Sequence, residues 1–433
     1  MRRRFFYLVV VLVLGALAQG FIASSENSTG LESTRSWPPD TTPYARPAVP
    51  EDSAPSSNTT SYARPAVPEA SAPSGLGATF PLPGGFIVDV VVNNTNPTLT
   101  NTDIFNDGET SIAVNPANPD EVVITAFSGG WGATAPLWHS TDGGLTWTKQ
   151  FTLPSPPGVP PGCPCDQTID YGRRDELSGT FLALDAGTGF FGFDIYTGTT
   201  TDPANVAAWN WFAPGGETQK TNHNVPGTLG SVDQPWLLVN PDPAAQHLDN
   251  VYVAYDDFTG APDMRVAVST GTNPPDFIID RRTGFSTGFV NPGHRLAVDR
   301  LMGVVYSLFQ RRIAPGAGGS QHINYMLSRS TDGGLTWGLN GSATGIIVAN
   351  ADSTQPQPKF GTVNALLGGV LHAAVDPNTG DLYYVYGNRD PATSNNRLAL
   401  RRIVSDGAGG GDCRAPVVRD WPGAGRSPVG SRR

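Results

Sequence analysis

Charged residues are scarce in this chain, and turn-forming residues are abundant. Asp, Glu, Lys and Arg together make up 15% of the 433 residues, against 51 glycines and 39 prolines. No run of residues repeats its apolar side chains at helical spacing. A sequence that is poor in charge and helical periodicity but rich in turn formers predicts an all-β fold with many short connections.

Cysteine and positive charge are also in short supply. Of three cysteines, Cys163 and Cys165 flank Pro164, where they could form a strained local disulfide or remain free thiols, and Cys413 lies far away. Without nearby His or Cys partners they do not make a zinc site. The formal net charge of -10 argues against a nucleic-acid partner, because phosphates repel an acidic chain.

The signatures of several reaction classes are missing. The sequence has no phosphate-binding P-loop, no zinc-protease helix and no G-x-S-x-G elbow between a strand and a helix. Asp256-Asp257 and the run from Asp103 to Glu109 carry carboxylates that suit calcium, but neither has EF-hand spacing. The sequence therefore predicts no cofactor and no metal, and it leaves the catalytic residues unknown.

The N-terminus predicts export. Three arginines precede an apolar run from Phe5 to Leu17, which ends at the small-x-small site Ala16-Leu17-Ala18, so residues 1–18 are expected to form a secretory signal peptide. The run is short for a membrane span, although an uncleaved anchor is an alternative, and no other run is suited to cross a bilayer. We expect a secreted, extracellular or cell-surface protein.

Residues 19–85 are rich in Ser, Thr, Pro and Ala and contain a tandem repeat. TTPYARPAVPEDSAPSS begins at Thr41 and TTSYARPAVPEASAPSG at Thr59, a period of 18 residues. Such a composition buries too little apolar area to offset the loss of chain entropy. It predicts a disordered linker, with a ligand for a proline-recognising module as the alternative.

From Phe86 the sequence changes to short β-rich runs, and one layout occurs five times. Each unit has a strand, a turn that often carries Asn-Pro or Asp-Pro, a second strand ending in aromatics, and a third strand after a loop. A single meander of this size cannot bury both of its faces, so the units predict the radially stacked blades of a β-propeller. The units begin at Glu109, Asp166, Asp233, His294 and His372.

Two of the units continue after the third strand into the same eight residues, S-T-D-G-G-L-T-W. In such a turn the Asp accepts backbone N–H bonds, the glycines permit positive φ, and the Trp packs beneath. The segment resembles the Asp box of the sialidase superfamily, the bacterial neuraminidase repeat proteins, where it is structural and lies away from the active site. The positions that carry the match are Ser140, Asp142, Gly144 and Trp147, and then Ser330, Asp332, Gly334 and Trp337.

The resemblance implies a sialidase-like β-propeller over residues 86–407. Propellers of that family usually have six blades, and five are recognisable here. The tail, residues 408–433, is rich in Arg, Gly and Pro and lacks strand alternation. A frameshift or truncation artefact, a disordered end and a degenerate blade compete as explanations. We favour a lost sixth blade, with Phe86 to Val92 as its outer strand.

The resemblance also implies an arginine pattern that this sequence does not have. The family binds the substrate carboxylate with three arginines, and it uses a Tyr nucleophile activated by Glu with an Asp as acid/base. The first arginine belongs to an Arg-Ile-Pro motif before the first Asp box, but no arginine lies between Phe86 and Asp142. Arg312-Ile313-Ala314-Pro315 resembles the Arg-Ile-Pro motif only partly, and it lies in a different unit.

Candidate ligand-binding residues follow from the strand directions. In a meander the starts of the first strands and the second-to-third loops share one face, opposite the Asp boxes. Ligands bind where loops of several blades converge, although polar residues there also serve simply to satisfy backbone groups. The candidates on this face are Asp107, Glu109, Asp166, Asp233, Asp256, Arg295, Arg311, Arg312, His372 and Arg389.

These observations predict an exported propeller that binds a glycan or an extracellular protein and lacks sialidase activity. The alternative is an exo-acting glycoside hydrolase, of the exo-α-sialidase kind, with a rearranged active site. In that case Arg295, Arg389 and one of Arg311 and Arg312 would hold the carboxylate, and Tyr255 and Tyr386 end second strands beside them. A face rich in Asp repels an anionic sugar unless arginines dominate locally. A fragment without function is a third possibility.

Overall fold

The computed structural model describes part of the unit Ser74–Arg433, and the unit Met1–Pro73 lies outside the described residues. The predicted signal peptide (1–18) and linker (19–85) also lie outside them, as do Asp107, Glu109, Cys163 and Cys413. The described residues are 110–126, 137–150, 153–159, 165–184, 192–222, 232–242, 245, 247–258, 263–286, 293–315, 320–354, 359–360, 363–364, 371–389, 396–404 and 418–420.

Regular structure in these residues consists almost entirely of antiparallel β-sheets. Sheet 1 comprises β1 (Ser111–Val114), β2 (Val122–Thr125), β3 (Leu137–Ser140) and β4 (Thr148–Gln150). Sheet 2 comprises β5 (Cys165–Tyr171), β6 (Leu177–Leu184) and β7 (Phe193–Thr200). Sheet 3 comprises β8 (Val232–Pro241), β9 (Asp249–Asp257), β10 (Asp263–Thr270) and β11 (Ile279–Phe285).

The later part of the chain adds two more sheets and a short ladder. Sheet 4 comprises β12 (Arg295–Asp299), β13 (Val304–Pro315), β14 (Ser320–Ser330) and β15 (Ile346–Thr354). β16 (Lys359–Phe360) pairs with β17 (Val363–Asn364). Sheet 5 comprises β18 (Leu371–Val375), β19 (Leu382–Arg389), β20 (Asn396–Ile403) and β21 (Val418–Asp420). Within the described residues, no helix is long and apolar enough to span a membrane.

Each of the five sheets is a meander, because hydrogen-bonded neighbours are consecutive in the chain. The five meanders coincide with the five predicted units, and the predicted third strands are β3, β7, β10, β14 and β20. The prediction of an all-β chain is confirmed. In sheet 2 the place of a fourth strand is taken by an irregular segment that bridges to β7 at Asn210 and Lys220.

The sheets are stacked in chain order through their first strands. β1 lies against β5, β5 against β8, β8 against β12, and β12 against β18. This is how the blades of a β-propeller are arranged. A sixth blade is not among the described sheets and stays a prediction.

A separate apolar core fills each interface between neighbouring sheets. Val123 of sheet 1 packs with Phe181 of sheet 2, and Tyr325 of sheet 4 meets Tyr384 of sheet 5 edge-on at 6.4 Å between ring centroids. Sheet 3 is covered on both faces, and β9 is therefore buried at every residue. The fold thus depends on contacts between sheets as much as on hydrogen bonds within them.

The two S-T-D-G-G-L-T-W segments form the same turn, and each follows the third strand of its sheet. Asp332 accepts hydrogen bonds from the backbone N of Thr336 at 3.0 Å, from its Oγ1 at 2.6 Å and from Ser330 Oγ at 2.8 Å. Trp337 Nε1 donates to the Gly334 carbonyl at 3.1 Å, and Gly334 has a φ of 87° that favours glycine.

The first turn repeats these contacts. Asp142 accepts from Thr146 N and Oγ1 and from Ser140 Oγ, and Trp147 Nε1 donates to the Gly144 carbonyl at 2.8 Å. The hydrogen bonds, with those from Thr146 largest, lower the pKa of Asp142 to about 2. Both segments therefore form the predicted turn, with the Asp as hydrogen-bond acceptor and the glycines at positive φ.

Three residues of the tail form a strand. Val418–Asp420 forms β21 and pairs antiparallel with β20, with Val418 opposite Ile403. The region interpreted as irregular, residues 408–433, thus supplies the fourth strand of sheet 5. Pairing at a sheet edge uses backbone groups alone, so it does not require an alternating side-chain pattern.

We predict that Gly284→Ala destabilises the junction of sheets 3 and 4. A Cβ at this position would lie 1.9 Å from Phe309 Cζ, and the Phe309 ring is fully buried between Met264 and Met326. The ring has nowhere to move, so we expect the free energy of unfolding to fall by about 3 kcal/mol or more. Urea denaturation monitored by tryptophan fluorescence measures the change.

Gly216→Ala is the control for this prediction. A Cβ at Gly216 has nothing within 4 Å, but its φ is +89°, so the substitution introduces backbone strain without a clash. We expect it to cost about 1 kcal/mol. Equal losses for the two variants would contradict the role assigned to the Phe309 contact.

Candidate functional site

One end of the stacked sheets gathers the starts of the first and third strands and the ends of the second and fourth. We call it the open end; the S-T-D-G-G-L-T-W turns lie at the other end. The predicted candidates at this end include five that come from four sheets and lie around the first strands. They are Asp166 on β5, Asp233 on β8, Asp256 on β9, Arg295 on β12 and His372 on β18.

The chain bulges at the open ends of β5 and β8. Each ladder contains one extra residue there, and Asp166 and Gln234 adopt left-handed φ values of 47° and 55°. Such a conformation costs about 1–3 kcal/mol in a residue with a side chain and is found most often at functional sites. Because of the bulges, Asp166 of β5 occupies the position in its strand that Gln234 occupies in β8. The sequence had suggested a different correspondence, with Asp166-Gln167 equivalent to Asp233-Gln234.

The structure brings three acidic candidates together: Asp166, Asp233 and Asp256, here called the carboxyl cluster. Asp233 and Asp256 are register partners on β8 and β9, so their Cβ atoms are about 5 Å apart. Asp233 also shares a hydrogen bond with Asp166. Burial, and then the charge of Asp166, raise the pKa of Asp233 well above its usual value, which favours a proton on this pair.

Asp256 is the most enclosed member of the cluster. Its side chain is fully buried, and neither carboxyl oxygen has a hydrogen-bond partner among the described residues. Burial raises the pKa of Asp256 well above its usual value; the charge of Arg295 opposes this shift and that of Asp166 adds to it. A buried carboxyl group without partners is costly, and a proton or a ligand would relieve that cost.

Beside the cluster lies a contact between three sheets. The Arg295 guanidinium carbon is 4.5 Å from the ring centroid of Trp236, and its Nη1 donates to the His294 carbonyl at 2.9 Å. His372 meets the edge of Trp236, with centroids 5.4 Å apart and ring planes at 80°. Burial, and then the charge of Arg295, lower the pKa of His372, which favours the neutral imidazole. Trp236 was not among the candidates predicted from the sequence, because only its position directly after the bulge in β8 points to it.

The other arginine candidates have different partners. Arg311 donates from Nε to the Phe285 carbonyl at 3.1 Å, and its guanidinium carbon is 4.2 Å from the Phe285 ring. The Arg312 backbone N donates to Ser286 Oγ at 3.4 Å. Arg389 is the last residue of β19. The groups around Arg311 are therefore distinct from those around Arg295.

Two buried polar residues near the cluster have structural roles. Tyr255 Oη donates to Asp280 Oδ2 at 2.5 Å, and burial raises the pKa of this phenol well above its usual value. His294 donates from Nδ1 to the Tyr255 carbonyl at 3.2 Å and accepts at Nε2 from Ser307 Oγ at 2.7 Å. Burial lowers the pKa of His294 to about 3, so a neutral imidazole joins sheets 3 and 4.

Two observations bear on other kinds of site. Within the described ranges, no group of three or more His, Cys, Asp or Glu is arranged to hold a metal ion. At the end opposite the carboxyl cluster, Ser178 of sheet 2 and Val251 of sheet 3 line a small cleft with room for about one water molecule.

Comparisons with known proteins give only distant likenesses. No protein family and no curated protein matches the chain. A thermostable family-43 glycoside hydrolase is 12% identical, with 75% of this chain and 98% of that chain covered and a TM-score of 0.37. A GH43 endo-arabinanase from Bacillus licheniformis is 14% identical, with 70% and 96% covered and a TM-score of 0.34.

A third solved structure is the GH93 α-L-arabinofuranosidase of Fusarium graminearum in complex with arabinobiose. It is 11% identical, with 69% of this chain and 77% of that chain covered and a TM-score of 0.42. The three likenesses concern the fold alone. At these identities and TM-scores they carry no argument about the function of this chain.

We predict that Asp256→Asn stabilises the protein at neutral pH but not at pH 4. The folded protein raises the pKa of Asp256, so ionisation weakens the fold as pH rises from about 4 through that raised value. A neutral amide of the same shape removes this penalty, which grows by about 1.4 kcal/mol per pH unit inside the window. Urea denaturation of both proteins at pH 4 and pH 8 measures it.

Asp202→Asn is the matched control, because Asp202 is exposed in a turn after β7. We expect it to change stability by no more than about 0.5 kcal/mol at either pH. If Asp256→Asn destabilised the protein equally at pH 4 and pH 8, the carboxyl group would be contributing to the fold whether or not it is ionised, and its assignment to a strained site would be wrong.

Proposed function

We propose that this protein is an exported β-propeller that binds a glycan through the carboxyl cluster at its open end and has no sialidase activity. The observation that carries the proposal is the convergence of Asp166, Asp233 and Asp256 from two sheets, beside Arg295, at strand ends with strained backbone. Polar groups held at such a cost are typical of ligand sites.

The chemistry of the cluster suits sugar hydroxyl groups. An ionised carboxylate only accepts hydrogen bonds, whereas a protonated carboxyl group also donates one. The raised pKa values of Asp233 and Asp256 favour protonated forms, while Asp166 is partly exposed. The cluster therefore offers donors and acceptors together, and a sugar hydroxyl group is both a donor and an acceptor. Asp256, which has no hydrogen-bond partner in the described residues, would gain one from a bound hydroxyl group.

The contacts of the arginines and tyrosines argue against a sialidase site. The guanidinium of Arg295 packs on Trp236 and that of Arg311 packs on Phe285. The two guanidiniums therefore contact different aromatic rings, whereas a sialidase directs its arginines at one carboxylate. Tyr255, the second-strand tyrosine beside the cluster, is fully buried with a raised pKa, which is the opposite of an activated nucleophile. The carboxyl cluster itself disfavours an anionic sugar at that point.

A second candidate function is exo-acting glycoside hydrolysis with a rearranged site. One observation favours it: burial and the charge of Asp166 raise the pKa of Asp233, and the general acid of a glycosidase has a raised pKa too. Against it, Asp233 and Asp166 share a hydrogen bond. Paired glycosidase carboxyl groups instead stand about 5–9.5 Å apart, on either side of the scissile bond. An extracellular protein partner is a further alternative.

We predict that the full-length protein prefers, on an array, glycans that offer the cluster a neutral terminal sugar unit over glycans that end in sialic acid, and that Asp166→Asn weakens binding of the best neutral ligand. Loss of one charge-assisted hydrogen bond reduces affinity by about tenfold. Titration calorimetry with that ligand measures the change, and Asp202→Asn again serves as the matched control. Absence of any glycan ligand would favour a protein partner.

Hydrolysis is tested in the same samples by following release of reducing ends. Shortening of a ligand that stops in Asp233→Asn, while binding persists, would establish the hydrolase. Turnover of a fluorogenic sialoside that is lost in Arg389→Ala would overturn the assignment as a protein without sialidase activity.

A further inference from the structure

Two arginines pack against one aromatic ring at the open end, away from the carboxyl cluster. The guanidinium carbon of Arg282 is 5.2 Å from the centroid of Phe285, and that of Arg311 is 4.2 Å from it. We call these two residues the arginine pair. Arg282 belongs to β11 of sheet 3 and Arg311 to β13 of sheet 4, so the pair forms where the two sheets meet.

A bulge in β11 puts Arg282 and Phe285 on the same face of the strand. Arg282 is opposite Arg265 and Phe285 is opposite Asp263, with one extra residue in between. Without that extra residue, side chains three positions apart would point to opposite faces. The bulge therefore turns the Phe285 ring toward Arg282.

Backbone carbonyl groups fix both guanidinium planes. Arg282 donates from Nε to the Gly284 carbonyl at 3.2 Å, and Arg311 donates from Nε to the Phe285 carbonyl at 3.1 Å. In each residue one edge of the guanidinium is thus held by the protein. The Nη groups form the fork that binds carboxylates and sulfates; Arg282 Nη2 already has Asp263 as a partner, and those of Arg311 remain for other partners.

The described acids nearby pair with only one of the two arginines. Arg282 Nη2 donates to Asp263 Oδ1 at 2.9 Å, so the first arginine has one carboxylate partner. None of the described acids forms an ion pair with Arg311, and its buried Nη2 has no hydrogen-bond partner among the described residues. Burial, and then the charge of Arg282, lower the pKa of Arg311. A buried, unpaired donor next to a like charge is costly unless an anion joins it.

We propose that the arginine pair binds an oxyanion, and that this oxyanion is the carboxylate of an acidic sugar unit in the glycan held by the carboxyl cluster. The ligand identity rests on the proposed function, whereas the oxyanion site rests on the pair itself. Phe285 pairs with Asp263, which pairs with Asp257, so Phe285 is two strands, about 10 Å, from β9, and its side chain leaves the face of sheet 3 opposite to that of Asp256. Both residues lie at the open end, so a ligand that reaches both crosses the strand ends. A short oligosaccharide spans this distance.

The two sites would fix the direction of the ligand. The carboxyl cluster repels an anionic unit, and the arginine pair attracts one. A neutral sugar unit at the cluster and a uronic acid at Phe285 satisfy both. The reverse orientation places the sugar carboxylate beside the carboxyl cluster and leaves the arginine pair without an anion, so a single orientation is favoured.

The test is titration calorimetry of the full-length protein at low salt with D-glucuronate, inorganic sulfate and D-glucose. We expect the two anions to bind and glucose, at the same concentrations, to bind at least tenfold more weakly. Arg311→Met and Arg282→Met should each weaken glucuronate binding by about tenfold or more, because each removes a charge-assisted hydrogen bond. Raised ionic strength should weaken binding in the unmodified protein.

Arg281→Met is the matched control. Arg281 is the preceding residue on β11, and its Nε donates to the Leu335 carbonyl in sheet 4 rather than facing Phe285. Glucuronate affinity should not change in this variant. Arg311→Lys is a second variant in case the methionine disturbs the junction; a lysine keeps the charge without the fork, so we expect weaker binding here too.

The outcomes separate the two proposals. The oxyanion site is overturned if neither anion binds, or if binding survives intact in the Arg311 and Arg282 variants. Binding of sulfate without glucuronate would support the oxyanion site and overturn the sugar acid as its ligand. Asp166→Asn tests the carboxyl cluster with a neutral glycan independently, so failure there leaves the glucuronate result interpretable.

Discussion

Burial between neighbouring sheets is the constraint on which this structure depends. Every residue of β9 is buried, although a strand in an isolated meander would have one face in water. The same holds, less completely, for the sheets on either side, whose apolar side chains meet across four interfaces. No sheet is therefore stable alone, and the open end exists because stacking places the first strands side by side.

The carboxyl cluster and the arginine pair are the places where this packing is locally unfavourable. Asp256 is buried without a hydrogen-bond partner, and Arg311 carries an unsatisfied buried donor, within the residues described. Both sit beside bulges that change the direction of nearby side chains. The interfaces between sheets offset the cost of these groups, which is how functional sites persist in a marginally stable protein.

Much of the architecture was predictable from the sequence because it follows from local patterns. Alternating apolar runs and turn residues predicted the five meanders, and the S-T-D-G-G-L-T-W segments predicted their turn, including the Asp as hydrogen-bond acceptor. The bulges were not predictable, since one inserted residue leaves no pattern around Asp166 or Gln234. The contact between Trp236 and His372 depends on how three sheets curve together, and β21 on backbone pairing alone.

The contact between Trp236 and His372 has a consequence for how the open end responds to movement. The indole belongs to sheet 3 and the imidazole to sheet 5, and Arg295 of sheet 4 covers the same indole. Three sheets are thus joined through one shared side chain just inside the open end. Because the indole is shared, a displacement of one of these sheets changes the packing of the other two beside the carboxyl cluster.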